Sequence, residues 1–263
     1  MSASPNAQGI VAALLEARRS GQALTAFPTP VPATLADAYA IQHHLCAALD
    51  GPVLGWKLGR VPPPLVAPLG ATRLAGPVLH CTELDGDNPG EARIFVGGAN
   101  AIEIEVMLRL RSVPAHRIDS DDEARNYVDM VRAGFEVASS PAPDVFDHSP
   151  FGIIADVGIN NGLLLGPQID LAGFDQIEVS TDIDGVPVGT GRPAGVLDGP
   201  LGSLRFLVGL HHDGVIRLEP GQWISAGAIT GVHPIAVGQT ATAHFGSDIR
   251  IACTATPDTG YPR

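Results

Sequence analysis

The chain has 263 residues, 45 % of them apolar and 17 % charged, and a net charge of −12. That length and apolar content suffice for a substantial core and exclude a disordered chain. The acidic balance argues against nucleic acid or anionic lipid as partners, and an anionic substrate would need a local positive charge such as a bound cation.

The 31 glycines and 23 prolines imply many turns and short connections, more than a helical bundle needs. Cys46, Cys81 and Cys253 are far apart and odd in number, with no metal-binding spacing, so they read as incidental or buried thiols in a reducing cytosol. With no basic leader and no apolar run near the ~20 residues of a membrane span, a soluble cytoplasmic protein is expected.

Ile10, Val11, Leu14 and Leu15 recur at helical spacing, and Gly21 ends that helix after Arg18 and Arg19. A link containing Pro28, Pro30 and Pro32 follows. Thr34 and Asp37 then form a capping-box pattern for a second helix with Leu35, Ala38, Ile41, Leu45 and Leu49 on one face. Both helices are expected to form a cover. His43 and His44 lie on the second, with no ligand partner at a suitable spacing.

From residue 52 the texture becomes strand-like. Val53 to Gly59 is the first strand, Arg60 to Gly76 reads as a Pro- and Gly-rich loop, and Ala101 to Arg111 is the longest strand. Ser120 opens a further helix expected to reach Val131, its acidic first turn serving as cap and dipole match. Gly134–Ser139, Gly162–Gly166 and a hairpin over Gln176–Gly189, turning at Asp184-Gly185, follow. A helix over Gly199–His212 precedes strands at Trp223–Gly227, Thr240–Phe245 and Ile249–Cys253. One domain is expected, with residues 1–50 as the helical cover and 51–263 as the catalytic β core.

Ile102-Glu103-Ile104-Glu105-Val106 alternates strictly, so on a strand Glu103 and Glu105 share one face. The plain alternative is a half-buried strand with a solvated acidic face. Glu136, in Gly134-Phe135-Glu136-Val137, is a third strand carboxylate among apolar neighbours. Three carboxylate oxygens with open positions make a hard-cation site suited to Mg²⁺ or Mn²⁺. Lys57, between Trp56 and Leu58, is a candidate proton donor or electrostatic clamp, with a snorkelling surface lysine as the alternative. No GxSxG, HExxH or phosphate-loop pattern is present.

These segments together resemble the 2-keto-4-pentenoate hydratase and 4-oxalocrotonate decarboxylase family, within the fumarylacetoacetate hydrolase superfamily. The resemblance spans about residues 8 to 254. It rests on TLADAYAIQ (34–42), GWKLG (55–59), EIE (103–105), GFEV (134–137), ADVGINNGLLLG (155–166), WISAGAIT (223–230) and GQTATAHFGSDIRI (238–251). It implies an α+β fold in which a mixed β core, a roll or barrel, is covered by N-terminal helices. It further implies that Glu103, Glu105 and Glu136 hold Mg²⁺ or Mn²⁺, that Lys57 sits near the substrate carboxylate, and that Gly227, Ala228 and Thr230 border the substrate pocket. Where the family carries an acid before its Gly-x-Leu segment, this chain has Leu74-Ala75-Gly76-Pro77-Val78-Leu79.

The implied activity is that of a metal-dependent lyase of aromatic catabolism. Hydration of a 2-hydroxy-2,4-dienoate to a 4-hydroxy-2-oxo acid comes first, and decarboxylation of a 4-oxalocrotonate-type acid is the alternative. Acylpyruvate-type C–C hydrolysis ranks lower, because His43 and His44 form no convincing dyad. A catalytically weak partner subunit is the remaining reading. The resemblance also implies a homo-oligomer, or a hydratase–decarboxylase complex.

Overall fold

The computed structural model describes residues 5–86 and 88–260, so the outermost ends of the two expected segments, 1–4 and 261–263, lie outside the described residues. The chain opens with two helices, α1 (Pro5–Ser20) and α2 (Leu35–Leu49). The capping box forms as its residue types dictate: the Thr34 hydroxyl donates to the Asp37 carboxylate at 2.7 Å and accepts the Asp37 N–H at 3.1 Å. Asp50, left-handed at φ 55°, ends α2.

The strands and helices that follow are β1 (Gly55–Arg60), α3 (Pro63–Leu69), β2 (Arg73–Val78), β3 (Cys81–Glu83), β4 (Gly90–Ile94), β5 (Ala99–Leu110), α4 (Asp121–Arg125) and β6 (Val128–Ser140). Then come α5 (Phe151–Ala155), β7 (Asn160–Ile169), β8 (Val179–Ile183), β9 (Val186–Gly191), α6 (Gly199–His212), β10 (Trp223–Ser225), β11 (Val232–Pro234), β12 (Thr240–Phe245) and β13 (Ile249–Pro257). One mixed sheet runs β2-β1-β10-β5-β6-β7-β3, with β11 also on β5; the second runs β4-β13-β12-β8-β9. This is the expected α+β architecture.

Alternation on β5 divides its side chains between two environments. Ile102, Ile104, Val106 and Leu108 enter a core shared with Phe135 and Val137 of β6, Ala241, Ala243 and Phe245 of β12, and Leu204 and Leu207 of α6. Glu103 and Glu105 therefore point to the other side. The N-terminal helices bury Ile10, Leu14, Ile41 and Leu45 against Leu74, Ala99, Ala101 and Ala138 of the first sheet. The cover thus packs on the strands that carry the candidate residues.

Two expected elements differ. Residues 60–76 hold a short helix and a strand rather than a loop, since α3 starts at its prolines and β2 pairs with β1 along its full length. The helix from Ser120 stops at Arg125, because Val128 onward pairs with β5 and the sheet overrides local helix propensity. The Asp184-Gly185 turn is as expected, both residues having positive φ. The three cysteines are free. Among the described residues, no helix is long and apolar enough to cross a membrane.

One ion pair ties the cover to the core. Arg18 of α1 and Asp156, both fully buried, meet at 2.7 Å. The guanidinium also reaches the Asp156 and Asn160 carbonyls. Removing one member of such a pair strands the other charge in a low-dielectric interior. Arg18→Ala should therefore lower unfolding free energy by about 3–5 kcal/mol, read as a reduced urea midpoint with an unchanged slope.

Candidate metal centre and substrate cavity

The long antiparallel pairing of β5 and β6 sets Glu103 directly opposite Glu136 and Glu105 opposite Gly134. One oxygen from each of Glu103, Glu105 and Glu136 lies within 4.8 Å of the others. A solvated acidic face is excluded by burial: Glu103 is 7 % exposed, and Glu105 and Glu136 are 0 % exposed. Like charges opposed across strands repel, and buried charges lose hydration. Lys57 Nζ stands 3.1 Å from Glu136 Oε1 and supplies one positive charge. Three carboxylates against one ammonium still leave a formal charge of two minus, which a divalent cation cancels.

The hydrogen bonding leaves room for that cation. Glu105 Oε2 accepts the Ser225 hydroxyl at 2.5 Å and the Gly227 N–H at 2.8 Å, while Glu105 Oε1 has no partner. Glu136 Oε1 accepts from Lys57 and from Asn160 Nδ2 at 3.1 Å, while Glu136 Oε2 has none. Each of these two carboxylates is thus anchored by one oxygen and offers the other. Two buried, orphaned, hard oxygens beside a third carboxylate fit Mg²⁺ or Mn²⁺.

Protonation follows from the same crowding. Burial pushes Glu103 up from 4.5 to about 7, eased by Lys57 and reinforced by Glu136. Burial raises Glu105 well above the ordinary carboxylate range, with Glu136 and Glu103 adding to it; the bonds from Ser225 and Gly227 oppose the shift. For Lys57, burial pulls downward, but Glu136, Glu103 and Glu105 outweigh it and keep the ammonium above its ordinary range. Lys57 is therefore charged at neutral pH.

Lys57 and Glu103 open onto a cavity of about 460 Å³, whose lining also includes Gly227 and Ala228. Gly227 has φ 115°, a region natural to glycine, and its N–H points to Glu105. Thr230, the third residue expected at the pocket, is not among the cavity's lining. Its hydroxyl instead bonds Thr181 and His233, each at 3.0 Å, next to the second sheet.

Behind Lys57 the chain bends through Val157, Gly158 and Ile159, with φ of 47°, 71° and 55°. Left-handed backbone at two β-branched residues is strained. Gly76 makes the bend possible: a Cβ there would sit 2.5 Å from Gly158 Cα. Ile159 lines the cavity and Asn160, just beyond, holds Glu136. Sequence reasoning missed Asn160, Ser225, Arg60 and Arg73, the last two of which also line the cavity. The ADVGINNG and WISAG segments contained the first two, but their bonds to the carboxylates depend on strand pairing.

In the metal-free protein the folded state keeps a proton on Glu103 that the unfolded chain releases near pH 4.5, so its stability falls as pH rises through about 7. Cation binding competes with those protons. The gain in Tm on adding Mg²⁺ or Mn²⁺ should therefore grow from pH 6 to pH 8. At a hundredfold excess over Kd it should approach about 2.7 kcal/mol, or several degrees. Scanning calorimetry with and without EDTA measures it.

The sequence matches no protein-family model and no curated protein sequence. Solved structures do match. 4-Oxalocrotonate decarboxylase from Pseudomonas putida G7, complexed with magnesium and adipate, superposes with a TM-score of 0.78 at 20 % identity, covering 95 % of this chain and 97 % of that one. Fumarylpyruvate hydrolase from Pseudomonas aeruginosa, in complex with Mn²⁺ and pyruvate, gives 0.55 at 13 % identity over 76 % of this chain and 88 % of its own. The 5-carboxymethyl-2-hydroxymuconate delta-isomerase from Mycobacterium smegmatis gives 0.54 at 17 % identity, with 78 % of each chain covered. The layered sheets, the N-terminal helical cover and the near-complete superposition together give this chain the fold of the 4-oxalocrotonate decarboxylase structure.

Proposed function

We propose that the protein is a divalent-metal-dependent lyase that hydrates a 2-hydroxy-2,4-dienoate to a 4-hydroxy-2-oxo acid. The observation carrying this reading is the pair of orphaned oxygens on Glu105 and Glu136 beside Glu103 and Lys57, at the cavity. Glu103, Glu105 and Glu136 would hold Mg²⁺ or Mn²⁺, which supplies Lewis-acid stabilisation of negative charge on a 2-oxo acid.

The chain's own groups do the rest. Lys57 offers a donor to the substrate carboxylate, while its bond to Glu136 keeps that ligand oriented. Ser225 and Gly227 fix Glu105 in the same way. In the reaction, the enol proton leaves the 2-oxygen as C5 gains a proton. Water then adds its oxygen to C4 and a proton to C3. Leu58, Leu74, Ile153 and Ile159 line the cavity and limit stray water around the unsaturated chain.

Decarboxylation of a 4-oxalocrotonate-type acid is the second reading, supported by superposition on the decarboxylase over nearly the whole of both chains. C–C hydrolysis through a histidine base is less well supported, since among the described residues no histidine lines the cavity. Loss of the ultraviolet absorbance of 2-hydroxypenta-2,4-dienoate with Mg²⁺ or Mn²⁺ tests the proposal. The rate should fall to background with EDTA, and Glu105→Gln should cost roughly one to several factors of ten. A 4-hydroxy-2-oxo product supports hydration. Metal-independent loss, or none with any metal, removes it.

A further inference from the structure

Buried side-chain atoms without a partner mark the metal centre, at Glu105 Oε1 and Glu136 Oε2, and the same signature recurs elsewhere. Gln42 Oε1 and Trp56 Nε1 are also buried with no partner among the described residues, and both residues line a second hollow of about 620 Å³. This hollow lies between α2, the start of β1 and the segment that follows α6, and it shares no lining residue with the metal cavity. Trp56 and Lys57 are consecutive on β1, so their side chains leave opposite faces of that strand.

The two unpaired groups are complementary. Gln42 Nε2 donates to the carbonyls of Ala75 at 3.0 Å and Ile154 at 2.8 Å, which fixes how the amide is turned and leaves Oε1 as a bare acceptor. The Trp56 indole N–H can only donate. Ala75, which Gln42 holds, is two residues from Pro77, the cross-strand partner of Trp56, a separation of about 7 Å. Gln222, also in the lining, has both ends of its amide engaged, by the Val53 carbonyl and the Glu219 N–H. Val53, Pro77, Val215 and Ile216 supply apolar walls. The charged residues of the lining, Asp50, Arg217 and Glu219, are exposed, and Arg217 pairs with Glu219 at 3.1 Å.

We propose that this hollow is a second binding site, for an uncharged, flat, largely apolar molecule that carries an amide or a lactam. The ligand N–H donates to Gln42 Oε1, and the ligand C=O accepts from Trp56 Nε1. An amide holds its donor and acceptor on neighbouring atoms, and with a hydrogen bond of about 2.9 Å at each end it bridges a separation of that order. A buried group left unpaired forfeits its hydration, so a ligand that meets both groups at once gains more than the same contacts would give in water. A carboxylate has no N–H for Gln42 and would bring a charge that no buried cation of the lining meets. A water molecule, of about 30 Å³, meets the pair without covering the apolar walls.

Benzamide is the probe. Acetophenone keeps its ring and carbonyl and lacks the donor, and benzoate is charged. The chain has two tryptophans, so the indole N–H resonances of nitrogen-labelled protein report on Trp56 and Trp223 separately. Benzamide should move the Trp56 resonance and leave that of Trp223 in place, with a Kd of about 1 mM for a molecule of its size. Acetophenone should bind about tenfold more weakly, and benzoate should leave the Trp56 resonance unmoved. Trp56→Phe keeps an aromatic ring, identifies the resonance, and should weaken benzamide about tenfold by titration calorimetry; its melting temperature verifies the fold. EDTA should leave the affinity for benzamide unchanged, because the hollow is separate from the carboxylates. Equal affinity for benzamide and acetophenone, or equal affinity for benzoate, overturns the proposal. An unmoved Trp56 resonance overturns it too and shows that water alone meets the pair. Binding that is lost with EDTA belongs to the metal cavity and likewise overturns it.

Discussion

The structure is organised around a concentration of negative charge that would be unfavourable almost anywhere else in a protein. Antiparallel register places Glu103 against Glu136, and alternation adds Glu105 on the same face, all three buried, with Glu103 alone reaching the cavity. A protein core normally excludes such a group, since each carboxylate loses several kcal/mol of hydration. Here the surrounding elements each offset part of that cost. β1 delivers Lys57, β7 begins with Asn160, and β10 brings Ser225 and the turn at Gly227. Each contributor reaches one oxygen and leaves another open. The remaining charge matches one divalent cation.

Some of this could be read from the sequence because it depends on short-range periodicity. Strict alternation over residues 102–106 places two glutamates on one face whatever the tertiary structure. Capping residues at Thr34 and Ser120 mark helix starts, and both helices begin there. Glu136 is different: its neighbours say strand, but only pairing in register with β5 sets it opposite Glu103. Its membership of the cluster was suggested by chemistry and family resemblance, and the pairing supplies the geometry.

What the sequence hid is equally instructive. Arg73 lies in a stretch whose prolines and glycines suggest a loop, so its place on a strand opposite Arg60 had no local signature. The helix expected to reach Val131 ends at Arg125, where a well-formed cap cannot compete with a long strand partner. Thr230 is placed by tertiary contacts that its neighbours in sequence do not reveal. Its backbone neighbours Gly227 and Ala228 line the cavity, yet its own hydroxyl serves the junction with Thr181 and His233.

The Arg18–Asp156 pair has a consequence for how the protein is made. Its two members are 138 positions apart, and the cation belongs to α1, far upstream of the carboxylate. That helix has an apolar stripe and a guanidinium to bury, but the carboxylate that receives the guanidinium emerges only after 138 further residues have been made. Contacts of such long sequence separation close late, because the loop entropy must be met before they form. The nascent cover is therefore exposed while those residues are made, an interval in which a chaperone or a second nascent chain has access to it. Docking of the cover then completes both the N-terminal core and the bend that supports Lys57, so the site matures only when α1 has found its place.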